Sequence, residues 1–284
     1  MSALHTLISP ETLATRLDDH GLCIFDCRFD LADSARGWRD YMQAHIPGAI
    51  FAHVDDVLAS PITPDSGRHP LPRPDDLIEW LRLHGVHRAA QVVVYDDSGG
   101  SMAARLWWLL RWLGHEAVAV LDGGWQAWQQ AGLPTGARVP CPAAGNLTGA
   151  PRPALVMSSA AAVENLATGR YILIDARTAE RFRGESEPID PVAGHVPGAL
   201  NMPLQENLDS DGRVRPAAEL RALYEQLLAG VPAAASACMC GSGVTACHTL
   251  LALEIAGLPG SLLYAGSWSE WIRDPARPVA TGPR

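Results

Sequence analysis

Positive charge is scarce in this sequence. Among 284 residues, 22 are basic and 31 acidic, a formal net charge of -9. A surface of that sign repels polyanions and excludes a general nucleic-acid binder, so any cation that attracts an anionic substrate has to be gathered locally. Long apolar runs are missing as well. The stretch Leu106-Trp107-Trp108-Leu109-Leu110 is bracketed by Arg105 and Arg111 and is too short to cross a membrane. The opening Met1-Ser2-Ala3-Leu4-His5 has no basic region followed by an apolar stretch and does not read as a signal peptide. Six cysteines fall below the density of a disulfide framework. These absences point to a cytoplasmic protein with neither a membrane nor a nucleic acid among its partners. Long disorder is excluded too, because 48% of the chain is hydrophobic and 19% charged. At roughly 150 residues per domain, the length suggests two domains.

What is present repeats itself. Asp26-Cys27-Arg28 follows the apolar run Leu22 to Phe25, and Asp175-Ala176-Arg177 follows Tyr171 to Ile174. His45-Ile46-Pro47-Gly48-Ala49 returns as His195-Val196-Pro197-Gly198-Ala199, and Gly123-Gly124-Trp125-Gln126-Ala127-Trp128 returns as Gly266-Ser267-Trp268-Ser269-Glu270-Trp271. Similar offsets in the same order mean two copies of one fold. A Pro- and Gly-rich stretch between them favours extended backbone. The expected division is a first domain over 1–136, a linker over 137–154 and a second domain over 155–284. Within each half, strand-length apolar runs (Gln91 to Tyr95, Ser236 to Met239) lead through a Gly-containing loop into a helix. The helices run from Met102 to Trp112 and from about Ala246 to Ile255. Strand, loop, helix, strand is the pattern of a mainly parallel α/β sheet flanked by helices, whose ligands sit at the carboxyl ends of the strands.

Cys240 stands at such an end, at the mouth of Cys240-Gly241-Ser242-Gly243-Val244-Thr245. Converging backbone N–H groups and a helix N-terminus favour the thiolate there, the nucleophilic form. A buried cysteine packed in a strand-to-helix turn is the alternative. Cys23, Cys27, Cys141, Cys238 and Cys247 are read as core or incidental residues. A metal site from Cys238, Cys240, Cys247 and His248 is set aside, since one residue between the first two cysteines does not match the usual zinc spacing. Phosphate chemistry is disfavoured as well: Ala246, not Arg, follows Thr245, and no Lys-Ser/Thr pair follows the glycines. In the first copy Asp96 stands opposite Cys240. Only the second copy can do cysteine chemistry, which leaves the first as scaffold and as one wall of a cleft.

This set of motifs, with a cysteine in the second copy only, resembles the two-domain rhodanese family of sulfurtransferases from about Leu7 to Arg273. The Cys240 loop is similar to the 3-mercaptopyruvate branch, because Gly241 and Ser242 stand where the thiosulfate-preferring branch carries two cations. The resemblance implies two tandem rhodanese-like domains and no cofactor. It implies sulfur transfer from 3-mercaptopyruvate through a Cys240 persulfide to a thiol, thioredoxin or cyanide. A thiosulfate:cyanide sulfurtransferase and a non-catalytic persulfide carrier are the alternatives. It further implies a relay of Ser242, His69 and Asp55, with Gly241, Gly243, Val244 and Thr245 of the loop lining the substrate. Arg181 would bind the substrate carboxylate. The second arginine of the family pattern should follow Glu187-Pro188, where this chain has Ile189, and Arg183 is the expected substitute.

Overall fold

The computed structural model describes residues 3–283, so Met1 and Ser2 of the signal-peptide reading and the terminal Arg284 lie outside the described residues. Two compact units emerge. The first holds the chain up to Ser60, with Pro72–Arg152 and Ser210–Val214; the second holds Pro61–Leu71, Pro153–Asp209 and the chain from Arg215 onward. The stretch expected as a linker packs on the first unit. Gly145 N–H donates to Arg82 O, Leu147 N–H to Val86 O and Arg152 N–H to Trp112 O, and Leu147 is buried. A proline-rich strap can be ordered in this way because its few remaining N–H groups find carbonyls at helix ends.

In the first unit the elements are β1 (Leu7–Ile8), α1 (Pro10–Ala14), β2 (Leu22–Asp26), α2 (Arg36–Gln43), β3 (Ala49–Phe51), α3 (Pro74–Leu83), β4 (Gln91–Tyr95), α4 (Ala103–Trp112), β5 (Val118–Leu121) and α5 (Gly124–Gln130). The second repeats them as β6 (Val156–Met157), α6 (Ser159–Thr168), β7 (Ile172–Asp175), α7 (Ala179–Arg183), β8 (Leu200–Asn201), α8 (Ala217–Leu228), β9 (Ser236–Met239), α9 (Ala246–Ile255), β10 (Leu262–Tyr264) and α10 (Ser267–Trp271). The sheets run β1-β5-β4-β2-β3 and β6-β10-β9-β7-β8, and neighbouring strands are parallel throughout. Helices cover such sheets, so β4 and β9 are buried along their whole length and are apolar after their first residues, Gln91 and Ser236. From β7 and β9 the order runs outward to opposite sides, which opens a crevice at their carboxyl ends. No helix among the described residues is long and apolar enough to cross a membrane.

The repeated motifs brace each core. Arg28 grips Asp26 through Nε and Nη2, donates to Ala44 O and lies 4.7 Å over the Trp125 ring. Arg177 does the same with Asp175, Gly194 O and the Trp268 ring, also at 4.7 Å. A buried guanidinium is tolerated because its donors meet a carboxylate and a carbonyl while its face meets an aromatic ring. His45 and His195 pin the His-x-Pro-Gly turns. Each ring sits 2.7 Å from a carbonyl, of Tyr41 and Phe182 respectively, and stacks on that residue's ring. Trp128, Trp268 and Trp271 are fully buried.

Candidate active site

Cys240 follows directly on β9, and its side chain is only 2% exposed. Because β10 lies beside β9, the segment after β10 meets the loop after β9. Trp268 N–H donates to Cys240 O at 3.0 Å and Ser269 N–H to Gly241 O at 2.9 Å. Cys240 N–H donates to Ser267 Oγ at 3.1 Å, and that hydroxyl donates to Tyr264 O at 2.9 Å. Gly243 has φ +78°, and a Cβ there would collide with Ala265 O, so the loop can close only with glycine. Closure brings Gly243 N–H to 3.1 Å from Cys240 Sγ, donating to the sulfur. Val244 is buried and Thr245 half-buried where the loop turns into α9.

The other thiols face differently. Burial pushes Cys238 up to about 12 and Cys23 up to about 11, and raises Cys27 well above its ordinary value, so these remain protonated. Cys247 donates to Gly243 O at 3.4 Å, and His248 Nδ1 lies 3.4 Å from Asn207. No group of three or more His, Cys, Asp and Glu side chains among the described residues could hold a metal ion.

His69 and Ser242, 173 positions apart in the chain, meet within the second unit. His69 Nδ1 and Ser242 Oγ lie 2.7 Å apart, and both residues are buried. The segment Pro61–Leu71 that carries the histidine is also fastened there through its backbone: Arg68 N–H donates to Ser269 Oγ at 3.0 Å, and Arg273 Nε donates to Ser66 O at 3.1 Å. Asp55 belongs to the first unit, exposed on the turn after β3, with its N–H donating to His53 Nδ1 at 3.2 Å.

Two guanidinium groups overhang the loop. A methyl group built on Gly241 would lie 2.8 Å from Arg68 Nη2 and 3.6 and 3.7 Å from Nη2 and Nη1 of Arg181. Glu187 holds Arg181 at 2.7 Å from Nη2 and 3.0 Å from Nε, and Asp190 bridges Arg181 Nη2 at 3.2 Å and Arg68 Nη1. Burial alone would raise the Glu187 carboxyl. Arg181 and the N–H groups of Asp190 and Ile189 outweigh it and hold the carboxyl below its ordinary value. Asp190 goes the other way, because burial dominates over the attraction of Arg68. Arg177 joins the cluster at 3.4 Å from Glu187. Although burial opposes its charge, Asp175, Glu187 and Cys240 raise its proton affinity further.

Arg183, the expected substitute for an arginine at 189, is turned away. Its Nε and Nη2 pair with Glu185 at 2.7 and 2.8 Å on the surface. Two residues along a helix is about 200° of rotation, so Arg181 and Arg183 of α7 cannot point at one spot. The cation beside Arg181 is Arg68, which sequence reasoning missed. Its one available signal was adjacency to His69.

The corresponding loop of the first unit is filled by its own side chain. Asp96 follows β4, and its carboxylate accepts N–H groups from Ser98 (2.8 Å), Gly100 (2.9 Å), Met102 (2.7 Å) and Ala103 (2.8 Å). The loop geometry therefore makes an anion cradle, here satisfied internally.

Comparison with known proteins agrees with this geometry. A profile described as a rhodanese-like domain matches residues 9–131 and 158–274. A Pseudomonas aeruginosa protein named "Probable 3-mercaptopyruvate sulfurtransferase" is 48% identical over 97% of this chain and 98% of its own length. The Bos taurus thiosulfate sulfurtransferase is 32% identical over 89% of this chain and 85% of its own. Among solved structures, an Escherichia coli protein described under the rhodanese fold and 3-mercaptopyruvate sulfotransferases superposes with a TM-score of 0.81. It is 33% identical, covering 93% of this chain and 98% of that one.

Proposed function

This chain belongs to the two-domain rhodanese family and is a sulfurtransferase, and from that premise we propose that it takes sulfur from 3-mercaptopyruvate and passes it on through a persulfide on Cys240. The observation that carries the reading is the Cys240 sulfur receiving the Gly243 N–H at 3.1 Å, in a loop whose Ser242 hydroxyl lies 2.7 Å from His69.

The Cys240 thiolate attacks the thiol sulfur of the donor. A sulfur–sulfur bond forms, the carbon–sulfur bond breaks, and the electron pair leaves on carbon as the enolate of pyruvate. A proton delivered by way of Ser242 and His69 completes pyruvate, and Asp55 is the third member proposed for that relay. The Gly243 N–H stabilises negative charge on the sulfur, as an oxyanion-hole donor does. Arg181 binds the donor's carboxylate. In the second half a thiol, thioredoxin or cyanide attacks the outer sulfur and Cys240 returns as the thiolate, a two-step covalent transfer. No cofactor takes part. The compartment proposed is the cytoplasm: all six cysteines are free thiols, the state a reducing compartment maintains.

Thiosulfate is the second reading. The guanidinium groups of Arg181 and Arg68 beside Gly241 suit a sulfonate oxygen as well as a carboxylate. Steady-state kcat/KM with each donor, using a small thiol as acceptor, decides between them. The expected outcome is a preference for 3-mercaptopyruvate, many turnovers per chain, and one added sulfur on Cys240 by mass spectrometry. Full transfer by Cys240→Ala would sink the proposal, and a single turnover would make the protein a carrier.

A further inference from the structure

Arg68 stands half-buried against the cysteine loop, its side chain 20% exposed. Its Nε is buried without a hydrogen-bond partner, its Nη1 is tethered by Asp190, and its Nη2 is the atom nearest the open side of Gly241. Arg181 is arranged alike, with Nε and Nη2 tied to Glu187 and Asp190 and Nη1 turned to the same spot without a bond of its own. Each guanidinium is thus pinned along one edge by a carboxylate while another edge is left with unfilled donors. Two guanidinium edges with unfilled donors converging on one point suit a planar carboxylate, which accepts such donors in pairs.

The spacing fits the donor. The two guanidinium groups meet at the residue next to Cys240, and in a 3-mercapto-2-oxo acid the carboxyl carbon is three bonds from the sulfur. Beside this point lies a cavity of about 310 Å³ whose lining includes Arg68, Arg273, Ile189, Asp190 and Ser269. Ile189 carries no charge there, and of the two arginines on that wall Arg273 donates to Ser66 O while Arg68 reaches Gly241.

We infer that Arg68 is the second guanidinium of the donor's carboxylate site, pairing with Arg181 across Gly241 and doing from the segment before His69 what Ile189 cannot. The inference rests on the carboxylate-bearing donor proposed above.

The test compares 3-mercaptopyruvate with mercaptoacetone, the same thiol ketone without the carboxylate. Arg68→Gln is expected to raise KM for 3-mercaptopyruvate by about tenfold to hundredfold, the loss of one charge-assisted contact, with a much smaller change in kcat. The kcat/KM for mercaptoacetone should fall at least tenfold less. Arg68→Lys, which keeps the charge and the stem, should lie between wild type and Gln, and it carries the same two-donor comparison should the Gln variant fail to fold. An unchanged KM for 3-mercaptopyruvate, or an equal fall with both donors, overturns the role of Arg68 while leaving the donor assignment standing. A wild-type protein inactive with 3-mercaptopyruvate overturns both.

Discussion

At the scale of single residues, the chemistry depends on atoms that tolerate no neighbour. Gly243 combines φ +78° with an approach to Ala265 O that leaves no room for a Cβ. Gly243→Ala should therefore destabilise the protein by about 2–4 kcal/mol in denaturant titration. By moving the N–H that faces Cys240 Sγ, it should also lower kcat/KM by about a hundredfold. Ser242 and His69, both buried and 2.7 Å apart, should behave as one unit. Ser242→Ala and His69→Gln should each lower kcat by about 10²–10⁴-fold, and the double variant should be little worse than either, since removing one member already disables the other. Additive losses would mean that the two act separately. Glu187 gives a pH prediction with a definite sign. Its folded-state affinity for protons lies below the ordinary value of 4.5, so the stability it confers is present above about pH 4.5 and is lost as pH falls through the folded value. Glu187→Gln should flatten that part of the acid limb of a stability–pH curve; an unchanged slope there would refute the assignment.

At the scale of elements, Ser267 shows how a helix start serves the site. It opens α10 with φ +54°, a left-handed conformation that costs a non-glycine residue about 1 kcal/mol. The corresponding residue of the first unit is Gly124, with φ +56°. The serine is retained at that cost because its Oγ accepts the Cys240 N–H. Ser267→Ala keeps the strain and orphans a buried donor, for about 1–3 kcal/mol, whereas Ser267→Gly loses the bond but relieves the strain. Thermal melts should rank glycine above alanine, the reverse of the usual order. Much of this level was legible beforehand. β4 and β9 are apolar after their first residues, and α9 spans the expected Ala246–Ile255. The cysteine loop announces itself through its glycines. The two-residue strands β6 and β8 carry too few side chains for any periodicity. The partition of the chain was hidden as well: spacing alone assigned Pro61–Leu71 to the first copy, while its bonds to Ser269 and Arg273 count it with the second. Arg68 escaped notice for the same reason, because a guanidinium's reach across the fold leaves no trace in local pattern.

At the scale of the whole molecule, one scaffold was used twice and armed once. The same strand-to-loop turn holds Asp96 on four N–H groups in the first unit and Cys240 Sγ on the Gly243 N–H in the second. A carboxylate that fills its own cradle stabilises the loop and leaves no vacancy for a substrate anion; a cysteine leaves the cradle free to stabilise sulfur. All 22 basic residues are arginines and the chain has no lysine. That suits a 2-oxo acid donor, because guanidinium groups grip its carboxylate bidentately and present no amine to condense with its ketone. The duplication also allows stability and catalysis to be separated. Asp26–Arg28 and Asp175–Arg177 are equivalent buried pairs, with side chains no more than 3% exposed. Removing either arginine strands a buried carboxylate, at about 3–5 kcal/mol. Arg28→Met and Arg177→Met should therefore weaken their own units to a similar degree in denaturant unfolding, followed as two transitions if the units melt separately. Their effects on sulfur transfer should differ. Arg177 also bonds Glu187, the residue that holds Arg181 over the loop, and interacts electrostatically with Cys240. Arg177→Met should abolish persulfide formation even under conditions where the chain is folded, whereas folded Arg28→Met should still load sulfur on Cys240. Equal loss in both variants would show that the first Asp–Arg pair does more than brace its own sheet.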